Sequence, residues 1–194
     1  MATPTITATP GAANANSYLT VAEADAYHES HLYSEVWDDA DADQKIKALI
    51  MATRLLDAFY SWSGSSLTQR QSSRLPAYAY YTWTGDAADG TQGLCWPRTG
   101  MVNRNGYDIP ETEIPQALKE ATAEFAKQLI VSDRTADNDI DVQGITSVKA
   151  GSVSLTFKDM IESKVIPDAV QWLLVPSWIV LYENESLQPF FQVL

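Results

Sequence analysis

The chain has 194 residues, enough for one domain with a core of its own. Hydrophobic residues make up 45% of it, so it is not disordered by composition, and no apolar run approaches the ~18 residues that a membrane-spanning helix needs. Against 25 Asp and Glu stand 13 Lys and Arg, and the formal net charge of −12 opposes any groove that would grip nucleic acid by neutralising phosphates.

Residues 1–16 hold Thr, Pro, Ala, Gly and Asn, with Ile6 the single bulky residue after Met1, which is the composition of a flexible N-terminal arm. They lack the basic start and apolar centre of a secretory signal. Regular structure is expected from Ser17 onward. Thr20 and Glu23 form a capping box, each side chain answering the other's unpaired backbone donor. A helix over 20–31 follows, with Val21, Ala24, Tyr27, His28 and His31 along one side. His28 and His31 are the two histidines of the chain, and without a third ligand of similar logic no metal site is expected. The acidic run from Asp38 to Asp43 lacks the central glycine and distal glutamate of a calcium loop. It reads instead as carboxylates placed ahead of a helix N-terminus, where the helix dipole favours them. Asp41 and Gln44 make a second capping box for a helix over 42–60, striped by Ile46, Leu49, Ile50, Thr53, Leu56 and Tyr60.

The texture changes over 61–100, an aromatic excursion in which Tyr78, Tyr80, Tyr81 and Trp83 suggest a short strand or hairpin arm. Such a surface can stack nucleic-acid bases or contact another protein. With only Arg70 and Arg74 before it and Asp86 and Asp89 after it, contact with a neighbouring subunit or another protein is the favoured use. Trp96 precedes Pro97 and must be extended, and Trp96, Pro97 and Arg98 read as a structural motif closed by a turn at Gly100. Cys95 is the single cysteine, so no internal disulfide forms and a reducing compartment is the default. As a nucleophile it would need a histidine or a helix N-terminus beside it, and the sequence offers neither.

The clearest helix runs over 114–134. Pro115 suits its first turn, and Leu118, Ala121, Thr122, Phe125 and Leu129 recur at spacings of three and four, widened by Ala126, Ile130 and Val131. A β-hairpin over 144–157 follows, two alternating strands holding Val148, Val153, Leu155 and Phe157 around Ala150-Gly151-Ser152. Such a hairpin is marginal alone and must lie on the helices or on a neighbouring subunit. Ile166-Pro167 repeats the earlier helix start for a segment over 167–175, which Pro176 ends. The last stretch, 182–194, carries Leu187, Phe190, Phe191, Val193 and Leu194, an apolar C-terminal arm suited to docking on a partner.

These elements predict a mainly α fold, a bundle of about four helices over 17–181 carrying the hairpin and the aromatic excursion, with extended arms at 1–16 and 182–194. No Ser–His–Asp set, carboxylate pair, CxxC or phosphate loop emerges, so neither an enzyme nor a cofactor is expected.

Four stretches taken together carry a resemblance: A-N-S-Y-L-T-V-A-E-A-D-A-Y over 15–27, L-C-W-P-R-T-G over 94–100, I-P-Q-A-L-K-E-A over 114–121 and G-I-T-S-V-K over 144–149. In that order and spacing the chain resembles the head–tail adaptor (connector) proteins of tailed bacteriophages, some of which carry the label DnaT-like single-stranded-DNA-binding protein. The resemblance covers roughly residues 15–175. It implies a structural virion protein at the neck, assembled as a ring of twelve copies between the portal protein and the tail, with genomic double-stranded DNA passing through the lumen and no membrane contact. On that view the 182–194 arm docks on the portal, and the aromatic excursion and hairpin meet a neighbour or the tail. The alternative the label carries is a single-stranded-DNA-binding protein of primosomal type, which the charge disfavours.

Overall fold

The computed structural model describes residues 4–60, 79–135, 147–150, 153–156 and 165–183. Helix α1, Val21–Glu29, begins on the expected capping box. The Glu23 N–H donates to Thr20 Oγ1 at 3.2 Å and the Thr20 N–H to the Glu23 carboxylate at 2.7 Å. A one-turn helix with no counterpart in the sequence reading comes next, α2, Glu35–Asp38. Its anchor is Trp37, fully buried, whose indole N–H donates to Asp25 at 2.8 Å and whose ring lies 4.7 Å from that of His28. Helix α3, Ala42–Tyr60, starts on the second box, with Gln44 N–H donating to Asp41 at 2.8 Å and Asp41 N–H to Gln44 at 3.0 Å. It buries Leu49, Ala52, Thr53, Leu56 and Tyr60, while Ile46 and Ile50 stay half-buried at the edge of the stripe.

Helix α4, Gln116–Val131, is the hub of a mainly helical molecule. Pro115 stands one place before its first turn, as the cap, and not within it. Leu118, Ala121, Thr122, Phe125 and Ala126 are buried as the spacing requires, and the Thr122 hydroxyl is satisfied by the Leu118 carbonyl at 2.7 Å. The helix packs most extensively on α3 and also touches α1, α2 and the short helix α5, Asp168–Leu173, which Pro167 caps. A fully buried Leu or Phe side chain contributes about 1.5–3 kcal/mol, so this shared face holds the bundle together.

Among the described residues the strands form two separate antiparallel pairs. The predicted hairpin is present as β2, Ser147–Ala150, and β3, Val153–Thr156, with Val148 opposite Leu155 and Ala150 opposite Val153. The other pair joins β1, Ala79–Trp83, to β4, Ile179–Glu183, with Trp83 opposite Ile179 and Ala79 opposite Glu183. A single 3-10 turn, Pro176–Trp178, leads into β4. Tyr182 and Glu183, read from sequence as the start of the docking arm, are therefore sheet residues. The strand escapes pattern reading because its partner lies about a hundred residues earlier in the chain.

A second correction concerns the excursion. Trp83 is not a contact for another subunit. It is 3% exposed and packs within a belt of aromatic rings, 4.6 Å from Tyr60 and 5.6 Å from Trp96, which in turn lies 4.9 Å from Trp178. Aromatic pairs at such separations add about 0.5–1.5 kcal/mol beyond their buried area. The N-terminal residues also differ from a free arm over 4–16. Asn16 accepts from the Thr7 N–H at 2.8 Å and donates to the Thr5 carbonyl at 2.9 Å, and Gly93 N–H donates to Ala12 at 3.1 Å. Gly93 is required at that crossing, because a Cβ there would stand 2.5 Å from the Ala13 carbonyl oxygen.

Candidate binding surface

The expected structural motif is tied into the interior through Arg98, while the buried Trp96 indole N–H has no hydrogen-bond partner among the described residues. Trp96 is buried and joined to Pro97 by a cis peptide bond. Arg98 donates to three carbonyls, those of Thr84 at 2.7 Å, Gly85 at 2.6 Å and Cys95 at 3.1 Å, and so ties the motif to the end of β1. Gly85 has φ 64°, and a Cβ there would meet the Thr99 carbonyl oxygen at 2.2 Å, which only glycine avoids. On the other side, the Asp57 carboxylate of α3 accepts from the Tyr18 hydroxyl and from the Cys95 N–H, the latter at 3.0 Å. Burial raises the Asp57 carboxyl above its ordinary range, against the lowering effect of these bonds. Burial, and then the adjacent Asp57 charge, push the Cys95 thiol up to about 12, so it stays protonated at neutral pH.

The histidines are structural in the same way. His28 is buried, its Nε2 is 3.2 Å from the Ala123 carbonyl, and desolvation pulls it down to about 4. His31 lies 3.6 Å from Glu124. Among the described residues no group of three His, Cys, Asp or Glu is arranged to hold a metal ion, and no helix is long and apolar enough to cross a membrane.

Several of the described cations are engaged within the fold. Lys45 pairs with Asp25 at 3.0 Å, Lys119 with Glu23 at 2.5 Å and Lys127 with Glu124 at 2.9 Å. Arg134 donates to the Val165 carbonyl at 3.2 Å. Arg104 is different. One terminal nitrogen donates to the carbonyls of Trp172 and Leu173, both at 2.8 Å, closing the C-terminal end of α5 where carbonyls lack helical partners. The rest of its guanidinium faces outward without a carboxylate among the described residues. It rises from a tight loop in which Asn103 N–H bonds Tyr107 at 2.8 Å and Gly106 takes φ 81°.

Two exposed aromatics belong to the same two segments, Tyr107 at 70% exposure, three residues on in the Arg104 loop, and Trp172 at 77%, whose backbone carbonyl Arg104 binds. On α5, Val170 turns into the core and Trp172, two residues on, points nearly the opposite way. A surface that exposes a guanidinium and two aromatic rings can meet a phosphate and stack bases. The sequence reading passed over all three residues. The available signals were Asn105-Gly106, which puts Tyr107 on a turn, and the polar helical side on which Trp172 falls.

Of the residues singled out from sequence, Tyr80 and Tyr81 stand on β1 opposite Tyr182 and Leu181, and Val148, Val153 and Leu155 on the hairpin. Tyr78, Phe157, Leu187, Phe190, Phe191, Val193 and Leu194 lie outside the described residues. A family model described as "Putative DnaT-like ssDNA binding protein" matches residues 5–82 and 77–178. Comparison with curated proteins and with solved structures found no match.

Proposed function

This chain belongs to the family described as DnaT-like ssDNA binding proteins, and from that premise we propose that it acts by contact and not by catalysis, holding single-stranded DNA at the Arg104, Tyr107 and Trp172 surface. The observation that carries the reading is the exposed Arg104, bonded to the Trp172 carbonyl, on a surface that also exposes the Tyr107 and Trp172 rings. Stacking on an aromatic side chain contributes about 1–3 kcal/mol per base and does not depend on sequence. The net charge of −12 dictates how such a protein must bind. Affinity comes from stacking, and few phosphates are neutralised, so the salt dependence is shallow, with a slope of log K against log salt of about −1 or less. Fluorescence anisotropy of a labelled oligothymidine of about 20 nucleotides, long enough for any single site, tests this at low salt. Saturable micromolar binding that weakens about tenfold in Trp172→Ala supports the reading. No binding at low salt, or binding indifferent to Trp172 and Tyr107, removes it.

A second reading is the head–tail adaptor, a ring of twelve copies between portal and tail in the phage neck. Two observations favour it: the ordered motifs over 15–149, and the engagement of Lys45, Lys119, Lys127 and Arg98 within the fold, which leaves an acidic wall that DNA can slide along without sticking. In this reading the portal and tail proteins are the partners, and the 182–194 arm with Leu187, Phe190, Phe191, Val193 and Leu194 docks on the portal. Electron microscopy of the protein mixed with portal rings separates the two readings. A second ring seated on the portal supports the adaptor, and a monomer that never binds portal rings sinks it.

A further inference from the structure

Among the described residues, exposed apolar side chains also gather away from the arginine loop, in the segment between α1 and α3. Leu32 is 80% exposed and Tyr33 70%, and Val36 on α2 is exposed as well. These three lie within five residues, too many large apolar side chains for chance scatter on a small domain. They are also held in place. Trp37 nails α2 to the body through Asp25 and His28, the Ser34 hydroxyl donates to Asp38 at 2.7 Å, and Lys127 of α4 donates to the Tyr33 carbonyl at 3.4 Å. That last bond brings the end of α4 alongside. Val131, one turn beyond Lys127 on the same side of the helix, is 66% exposed and extends the apolar area across a second element.

The charge around this patch selects its occupant. Residues 29–39 include Glu29, Glu35, Asp38 and Asp39, all exposed, and no Lys or Arg. Cations on the neighbouring helices are engaged elsewhere, Lys45 with Asp25 and Lys127 with Glu124, and Arg134, three residues beyond Val131, donates to the Val165 carbonyl. A second copy docking through the same face would set these carboxylates against each other, and nucleic acid or an anionic membrane surface would be repelled likewise. What fits is an apolar anchor with positive charge on either side. We propose that the Leu32, Tyr33, Val36 and Val131 surface is the docking site for a protein partner that presents a short segment with an apolar centre flanked by Lys or Arg. The interface would then have the usual anatomy of an apolar middle within a charged rim, with its specificity set by the rim.

The test uses the full chain and three synthetic peptides of one length: a Leu- and Phe-centred peptide with Lys flanks, the same centre with Glu flanks, and Lys flanks around a Ser centre. Amide chemical shifts are followed by NMR on the wild type and on a Leu32→Ser/Tyr33→Ser variant, with thermal unfolding of both as a control for folding. The expected result is saturable shifts confined to residues 29–39 and the end of α4 with the first peptide. Binding should be at least tenfold weaker with either of the others, and at least tenfold weaker in the variant at unchanged melting temperature. Equal binding of the Glu-flanked peptide overturns the charge argument, and equal binding of the Ser-centred peptide overturns the apolar one. Failure of the first peptide to bind, shifts elsewhere on the molecule, or self-association of the wild type that the variant abolishes each overturns the proposal as a whole.

Discussion

Trp96 and Trp172 are the same residue put to opposite uses, and the regions around them differ in the same way. Around Trp96, at 1% exposure, rings pack on rings. Although the indole N–H groups of Trp96 and Trp83 find no partner among the described residues, Arg98 is answered by carbonyls and Tyr18 and the Cys95 N–H by Asp57. Around Trp172 the rings face water and the guanidinium of Arg104 is only partly engaged. An aromatic residue therefore says little about function until its exposure is known. In this chain the aromatic-rich stretch that draws attention, ending at Trp83, delivers its tryptophan to the core, while the isolated Tyr107 and Trp172 remain at the surface.

Substitutions should separate the two regions sharply. Trp96→Ala empties the centre of the belt and is expected to cost about 3–5 kcal/mol, the range for truncating a buried Trp, read as a lowered urea midpoint. Asp57→Ala strands the Tyr18 hydroxyl and the Cys95 N–H together at ~1–3 kcal/mol per orphaned buried group, offset in part by relief of the carboxylate's own desolvation, for a net loss of about 2–4 kcal/mol. The pH dependence gives a third probe of the interior. Burial holds the His28 pKa at about 4, below its ordinary 6.5, so as pH falls the unfolded chain takes up the proton first. Stability from this residue is complete above pH 6.5 and is lost as pH drops from 6.5 towards 4, by up to about 3 kcal/mol at ~1.4 kcal/mol per pKa unit. The stability gap between the wild type and His28→Gln should shrink by that amount between pH 7 and pH 4, with carboxylate titrations common to both cancelling. At the other end, Trp172→Ala should change stability by less than ~0.5 kcal/mol, as surface substitutions do. A large destabilisation there would mean that the exposed ring is structural and would erase the contrast.

How much of this was legible from residues follows the range of the interactions. The two capping boxes, the α4 stripe and the hairpin are local, their determinants lying within a few residues of one another, and they form as read. Features fixed at long range were not visible. Helix α2 exists because Trp37 reaches Asp25 and His28, and β4 because it meets β1. The segment over 4–16 is held because Asn16 bridges its own chain and Gly93 crosses it, in a stretch whose Thr, Pro and Ala content suggests a free arm. The candidate surface was hidden for a related reason. Arg104 and Trp172 are far apart in sequence, and Tyr107 and Trp172 become notable only once the fold leaves them uncovered.

The central place of α4 also bears on how the chain is made. Helix α3 is complete at Tyr60, yet the face of Leu49, Ala52 and Leu56 waits for a partner whose last turn ends at Val131. At ~5–20 residues per second of synthesis that interval is several seconds. During it α1 and α3 hold their capping boxes, but the α4 face on which all three helices pack is missing. A ribosome-bound chain stopped shortly after Tyr60 should be bound by chaperones and cut readily by protease. One stopped with Val131 clear of the exit tunnel should resist both.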